Sequence, residues 1–301
     1  MTPDGAGGGP RGPAFGARLA VAMDELGPLC VGIDPHPGLL HAWGLPDDVT
    51  GLRELALRTA DALTGHVAAL KPQAAFFERH GAPGIEVLAE LLAHVRSAGT
   101  ATQVVLDAKR GDIGSSMQGY ADAYLRPGAP LACDALTVTP YLGFGSLAPA
   151  VEAAAEAGAG LFVLALTSNP EGSAVQHAVG PDGAVAVTVA REAARLNAAE
   201  LAGSGGRGLG SVGLVVGATV GEAPAHLGLD LAAVRGPLLA PGYGAQGARG
   251  DDVARVFAAA RDQVLVSSSR GVLGAGPDGG ALLAAAREAS ADVTRALRAA
   301  R

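Results

Sequence analysis

Short apolar runs of four to six residues recur along this chain, each closed by a polar or turn-forming cluster and each preceded by a longer segment with helical apolar spacing. The runs are 29–33, 66–70, 103–108, 135–139, 161–166, 212–217, 237–240 and 263–267. Around them, apolar positions three and four apart predict helices over 14–26, 51–64, 83–97, 113–125, 146–157, 184–202, 221–228, 251–261 and 278–299. Eight strand-like runs alternating with helices predict a single α/β domain over residues 13–301, a (β/α)8 TIM barrel entered by an N-terminal helix. Residues 1–12 (MTPDGAGGGPRG) offer nothing to bury and are expected to be a disordered Gly-rich tail. A doubly wound open sheet is the competing architecture. The barrel is preferred because polar residues close nearly every run, as a shared C-terminal rim requires, whereas an open sheet gathers its ligands at one switch point.

The stretch Val104 to Ile113 stands out. It is a β-branched, apolar run that ends in a carboxylate, an ammonium and a second carboxylate, so a buried strand delivers charge to its own C-terminal tip. Side chains alternate along a strand, which puts Asp107 and Lys109 on one side, with Asp112 past the strand end at the start of the next helix. Composition adds weight to Lys109. Of 22 basic residues only two, Lys71 and Lys109, are lysine, so arginine serves wherever a generic surface cation is wanted. A remaining lysine then belongs where a compact, proton-exchanging ammonium is needed. The plainer alternative is that both are chance survivors on solvated faces.

A net charge of −7 and an aromatic content of 4% argue against a nucleic-acid surface. Cys30 and Cys133 fall in apolar runs without metal-ligand spacing and read as small buried hydrophobes in a reducing compartment. No secretory h-region and no uncharged apolar run of membrane-spanning length occurs, so a soluble cytoplasmic protein without a membrane partner is expected. None of the seven histidines pairs with a carboxylate at a metal-site spacing, and neither a nucleophile elbow nor a Walker loop is present; no metal is expected.

Gly242-Tyr243-Gly244-Ala245-Gln246-Gly247 matches G-x-G-x-x-G, but it sits in the seventh unit, and the acidic residue about 20 positions on, Asp262, precedes a strand instead of ending one. NAD is rejected in favour of a loop whose bare amides and Gln246 side chain wrap a phosphate. Ser268-Ser269-Arg270-Gly271 then offers hydroxyls and a guanidinium fork after the eighth run, and loops after strands seven and eight are the usual phosphate site of such barrels. Ordinary Gly-rich turns and a surface arginine are the alternative. Asp34 could accept hydrogen bonds from sugar hydroxyls or form an Asx-turn before Pro35. Thr167-Ser168-Asn169 could face a heterocycle or be a polar turn before Pro170.

At Asp107-Ala108-Lys109-Arg110-Gly111-Asp112-Ile113 the sequence resembles the orotidine 5′-phosphate decarboxylases, in particular their longer bacterial subgroup. Ile33-Asp34-Pro35, Leu70-Lys71-Pro72-Gln73, Thr139-Pro140-Tyr141, Thr167-Ser168-Asn169-Pro170 and both phosphate loops fit the same family. The resemblance implies cofactor-free decarboxylation of orotidine 5′-phosphate to UMP, the last step of de novo UMP biosynthesis. A Lys71, Asp107, Lys109 and Asp112 charge array would lie at the C6 carboxylate, with Lys109 as proton donor. It implies a homodimer in which Asp112 and Ser116 complete the partner's site. Asp34 and Lys71 would hold ribose hydroxyls, Ser168 the pyrimidine, and Gln246 and Arg270 the phosphate, with Thr139, Gly247 and Gly271 among the other substrate-binding residues. One departure is Ser116, where many relatives carry threonine, in Ile113-Gly114-Ser115-Ser116. Two other readings stay open: a metal-dependent sugar-phosphate lyase or synthase of the same superfamily, which places an acidic ligand where Lys71 stands, and a non-catalytic sugar-phosphate or nucleotide sensor.

Overall fold

The computed structural model describes residues 12–203, 205–244 and 247–299. Eight parallel strands close into a barrel: β1 (Leu29–Ile33), β2 (Ala69–Pro72), β3 (Gln103–Arg110), β4 (Ala135–Val138), β5 (Gly160–Leu166), β6 (Val212–Val216), β7 (Leu238–Pro241) and β8 (Val264–Ser268). Each pairs with its sequence neighbours, and β8 returns to β1 through Leu29↔Val266 and Val31↔Ser268. The expected (β/α)8 barrel is therefore the fold. A two-stranded antiparallel ribbon, Val179–Gly180 with Gly183–Ala184, decorates the loop after β5.

Two apolar layers hold it together. The larger joins outward-facing strand residues such as Leu70, Leu106, Leu136 and Leu214 to the surrounding helices. The smaller fills the barrel with Cys30, Ala69, Val105, Ala135, Phe162, Val215, Leu239 and Leu265. Helix α1 (Phe15–Leu26) presents Phe15, Leu19 and Ala22, spaced along one helical face, to this inner layer. Phe15 meets Phe162 edge-on with centroids 6.0 Å apart. Gly160 makes room for the ring, because a Cβ there would lie 2.1 Å from Phe15 Cδ1. Arg18 ties the helix down through Gln103 Oε1 (3.1 Å), Gly158 O (2.8 Å) and Asp134 Oδ1 (3.0 Å). The N-terminal helix thus plugs the bottom of the barrel and leaves the C-terminal rim for ligands.

Several boundaries differ from the periodicity reading. β2 lies at Ala69–Pro72 and not 66–70, with Lys71 paired opposite Gly32 of β1, so the lysine sits inside the ladder. The helix expected over 251–261 stops at Val256, because Phe257 leaves helical geometry and turns fully into the core. Short helices Pro37–Ala42 and Ala74–Glu78 were not foreseen. The tail expected over 1–12 lies, but for Gly12, outside the described residues. Among the described residues no helix is long and apolar enough to cross a membrane.

Candidate active site

The two lysines of the chain converge on one carboxylate at the C-terminal rim. Lys71 Nζ lies 2.9 Å from Asp107 Oδ2, and Lys109 Nζ lies 2.6 Å from Asp107 Oδ1. A third donor, the Thr137 hydroxyl of β4, gives its proton to Asp107 Oδ1 at 2.9 Å. Lys71 and Asp107 are buried, whereas 46% of the Lys109 side chain is exposed, so its amine stands at the mouth. Asp107 and Lys109 meet on one side as expected, although the strand's regular pairing with β4 is interrupted between Leu106 and Arg110. Past them, Arg110 is pinned by Glu78 and lies over the rings of Tyr120 and Tyr124 at 5.5 and 5.9 Å, which fastens the end of β3 to two helices.

Burial alone would push the Asp107 carboxyl upward, but the ammonium groups of Lys71 and Lys109 and the bonds they donate hold it well below the usual carboxylate range. Burial likewise opposes the charge on Lys71, and the carboxylates of Asp107 and Asp34 outweigh it, raising Lys71 above an ordinary lysine. Behind them the buried Cys30 thiol is pushed up to about 12, chiefly by desolvation, which leaves it a hydrophobe and no nucleophile.

A cavity of about 170 Å³ opens beside the pair, lined by Asp34, Lys71, Gln73, Asp107, Tyr243, Ser269 and Arg270, with Pro241, Gly242 and Ser267. A larger cleft of about 660 Å³ near Asp24, Pro28 and Thr294 contains none of the candidate residues and lies beside α1, on the plugged side. The smaller cavity is the better candidate because charged groups from four strand ends converge there. Asp34 Oδ1 is buried there without a hydrogen-bond partner among the described residues. Its backbone carbonyl, and not its side chain, accepts the His36 amide at 2.8 Å, so no Asx-turn consumes the carboxylate. An unpartnered buried acceptor beside a cavity suits a ligand hydroxyl.

The seventh loop turns through Gly242, Gly244 and Gly247, all at positive φ (109°, 74° and 93°). Its root is held by Tyr243, whose hydroxyl donates to Asp292 Oδ2 at 2.7 Å on the last helix. Gln246 lies outside the described residues. Arg270 and Gly271 open the short helix Arg270–Leu273, with Arg270 exposed toward the mouth, and Ser269 rests on Gly32, where a Cβ would come within 1.9 Å of its Oγ. Asp112 bonds locally, its Oδ1 accepting the Ile113 amide at 2.8 Å, and Ser116 is exposed on the helix Gly114–Tyr124. Thr139 donates its amide to Arg110 O at 2.8 Å, and Ser168 is exposed at the end of β5 in a turn that Thr167 and Asn169 close at 2.6 Å. One chain therefore brings Asp34, Lys71, Asp107 and Arg270 to the cavity, with Lys109 joined to them through Asp107, while Asp112, Ser116, Thr139, Ser168, Gly247 and Gly271 are not among its lining residues.

Ser269, offered by the sequence among the hydroxyls after the eighth run, lines the cavity, whereas Thr137, Gln73, Tyr243 and Ser267 had no role assigned to their side chains. Thr137 carried a signal: Ala135 faces the barrel interior, and two residues on a hydroxyl takes the same inward side.

Fold and rim define a (β/α)8 barrel with charged side chains gathered at its C-terminal end. A sequence model of the orotidine 5′-phosphate decarboxylase / HUMPS family matches residues 27–285. The orotidine 5′-phosphate decarboxylase of Salinispora arenicola is 56% identical over 285 residues, 94% of this chain and 98% of that one. A crystal structure of a candidate orotidine 5′-phosphate decarboxylase from Streptomyces avermitilis superposes with a TM-score of 0.88 at 54% identity, covering 99% of both chains. The Leishmania donovani OMP decarboxylase structure, at 30% identity, gives 0.71 over 94% of this chain and 99% of that one. The chain belongs to the orotidine 5′-phosphate decarboxylase / HUMPS family and is an enzyme, a carboxy-lyase.

Proposed function

We propose that this chain decarboxylates orotidine 5′-phosphate to UMP without metal or cofactor. The observation that carries the reading is the convergence of both lysines on the two oxygens of the buried Asp107. In this reading the phosphate sits between the 242–250 loop and Arg270, with Gln246, Gly247 and Gly271 beside it. Asp34 and Lys71 take ribose hydroxyls, and Thr139 and Ser168 border the pyrimidine. The C6–carboxylate bond breaks heterolytically, its electron pair stays on C6, and CO₂ leaves. The ring cannot delocalise that pair well, so charge must be met directly. Asp107 beside the departing carboxylate raises the ground state. Two unit charges about 4 Å apart at an effective dielectric near 20 interact by roughly 4 kcal/mol, at most about a thousandfold in rate. Repulsion alone is too small for so inert a bond. The Lys109 ammonium, already placed by Asp107, supplies the larger electrostatic share and then the proton to C6. The reading includes a cytoplasmic homodimer whose Asp112 and Ser116 complete the partner's site.

A metal-dependent sugar-phosphate synthase needs an acidic ligand where this chain places the Lys71 ammonium, 2.9 Å from Asp107. The donor set therefore disfavours a divalent cation, and a pure sensor has no need of this charge array. Loss of orotidylate absorbance, followed with and without excess EDTA, decides the matter. Turnover is expected to be unaffected by chelator. No turnover of orotidylate, together with EDTA-sensitive turnover of a ketose phosphate, would reverse the assignment.

A further inference from the structure

Lys109 stands in a backbone conformation that side-chain-bearing residues avoid, with φ at 47°. The cause is visible in the pairing of β3 with β4. Register passes from Leu106↔Leu136 directly to Arg110↔Val138, so Asp107, Ala108 and Lys109 on one strand face Thr137 alone on the other. Such a bulge re-aims side chains, and it leaves backbone groups that the ladder does not pair. Thr137 supplies what the ladder lacks. Its Oγ1 accepts the Lys109 amide at 2.9 Å and donates to Asp107 Oδ1 at 2.9 Å. A hydroxyl has one proton to give, and an amide and a carboxylate leave no other assignment of donor and acceptor. Thr137 is buried and is not among the residues that line the cavity.

We propose that Thr137 is a positioning residue for the proton donor. It clamps the bulge at the tip of β3 so that the Lys109 amine and the Asp107 carboxylate are presented together, and it does so from a neighbouring strand without meeting substrate. The inference rests on the decarboxylase reading only for its kinetic consequence. The positioning itself concerns the free enzyme.

The chain's two lysines make a direct test available, since protein labelled with 13C at lysine Cε gives two signals, assigned by their loss in Lys71→Met and Lys109→Ala. Thr137→Val keeps the shape and removes the hydroxyl. It is expected to shift the Lys109 signal, leave that of Lys71 in place, and lower kcat by roughly tenfold to a hundredfold with KM within about twofold. Thr137→Ser should restore both signal and rate. If Thr137→Val does not fold, Thr137→Cys, of similar size but a weak donor and acceptor, is read in its place with the same expectation. An unmoved Lys109 signal in a folded variant overturns the proposal, as does a rate loss that Thr137→Ser fails to restore. A shifted Lys109 signal in an enzyme whose wild type leaves orotidylate untouched would support the clamp and overturn the reaction instead.

Discussion

Lys71 and Asp107 form a buried ion pair, and removing one member should cost more than removing both would suggest. At 2.9 Å and an effective dielectric near 20, the gross attraction is about 6 kcal/mol. Desolvation of two buried ions consumes much of it, so the pair's net worth is small, whereas a lone survivor is costly: breaking a buried pair typically costs about 3–5 kcal/mol. Asp107→Asn strips the charge partner from both lysines and should fall in that range. Lys71→Met should cost less, because Asp107 keeps Lys109 and the Thr137 hydroxyl. The double variant should lie at least about 1.5 kcal/mol below the sum of the two. Urea unfolding at pH 7, with circular dichroism and Trp43 fluorescence required to coincide, gives the three differences. Costs that add to within about 0.5 kcal/mol would refute the coupling.

The same pair sets a pH dependence. The Asp107 carboxyl is depressed in the folded state, so its contribution is complete above the ordinary carboxylate value of about 4 and is lost as pH falls from there through the lower folded value. The stability deficit of Asp107→Asn should therefore be constant from pH 5 to 8 and shrink only below about pH 4; a deficit that fades between pH 5 and 7 would contradict this. Gly160→Ala drives a Cβ to 2.1 Å from Phe15 in the barrel plug. Overpacking costs about 1–3 kcal/mol, so calorimetry should show Tm lower by several degrees, and an unchanged Tm would mean the plug yields freely. Arg270→Ala should raise KM about 10- to 100-fold, the worth of one charged hydrogen bond, with kcat at saturation largely kept. Loss of kcat with KM unchanged would remove it from the phosphate.

Architecture was legible because each barrel unit repeats the same contrast, an apolar run followed by polar punctuation. The order of charges at the tip of β3 and the scarcity of lysine mark Lys71, Asp107 and Lys109, which the fold brings together. What remained hidden depends on partners distant in sequence. β2 was placed too early because Lys71 reads as the end of an apolar run; only Asp107 across the ladder makes its burial tolerable. The helix after β7 was extended through Ala258, Ala259 and Ala260, whose propensity is helical, yet burial of Phe257 ends it. Thr137 passed as one β-former among several, since nothing local reveals a bulge facing it. The helical spacing of Phe15, Leu19 and Ala22 was readable, but not that it closes the barrel.

In the proposed reaction Lys109 is the group that meets the carbanion. Carboxyl-labelled orotidylate given to Lys109→Ala, with released CO₂ trapped and UMP binding measured by calorimetry on the same sample, tests this most directly. The expected result is release at least about a thousandfold slower than wild type, with UMP still bound. Release within tenfold of wild type would contradict it.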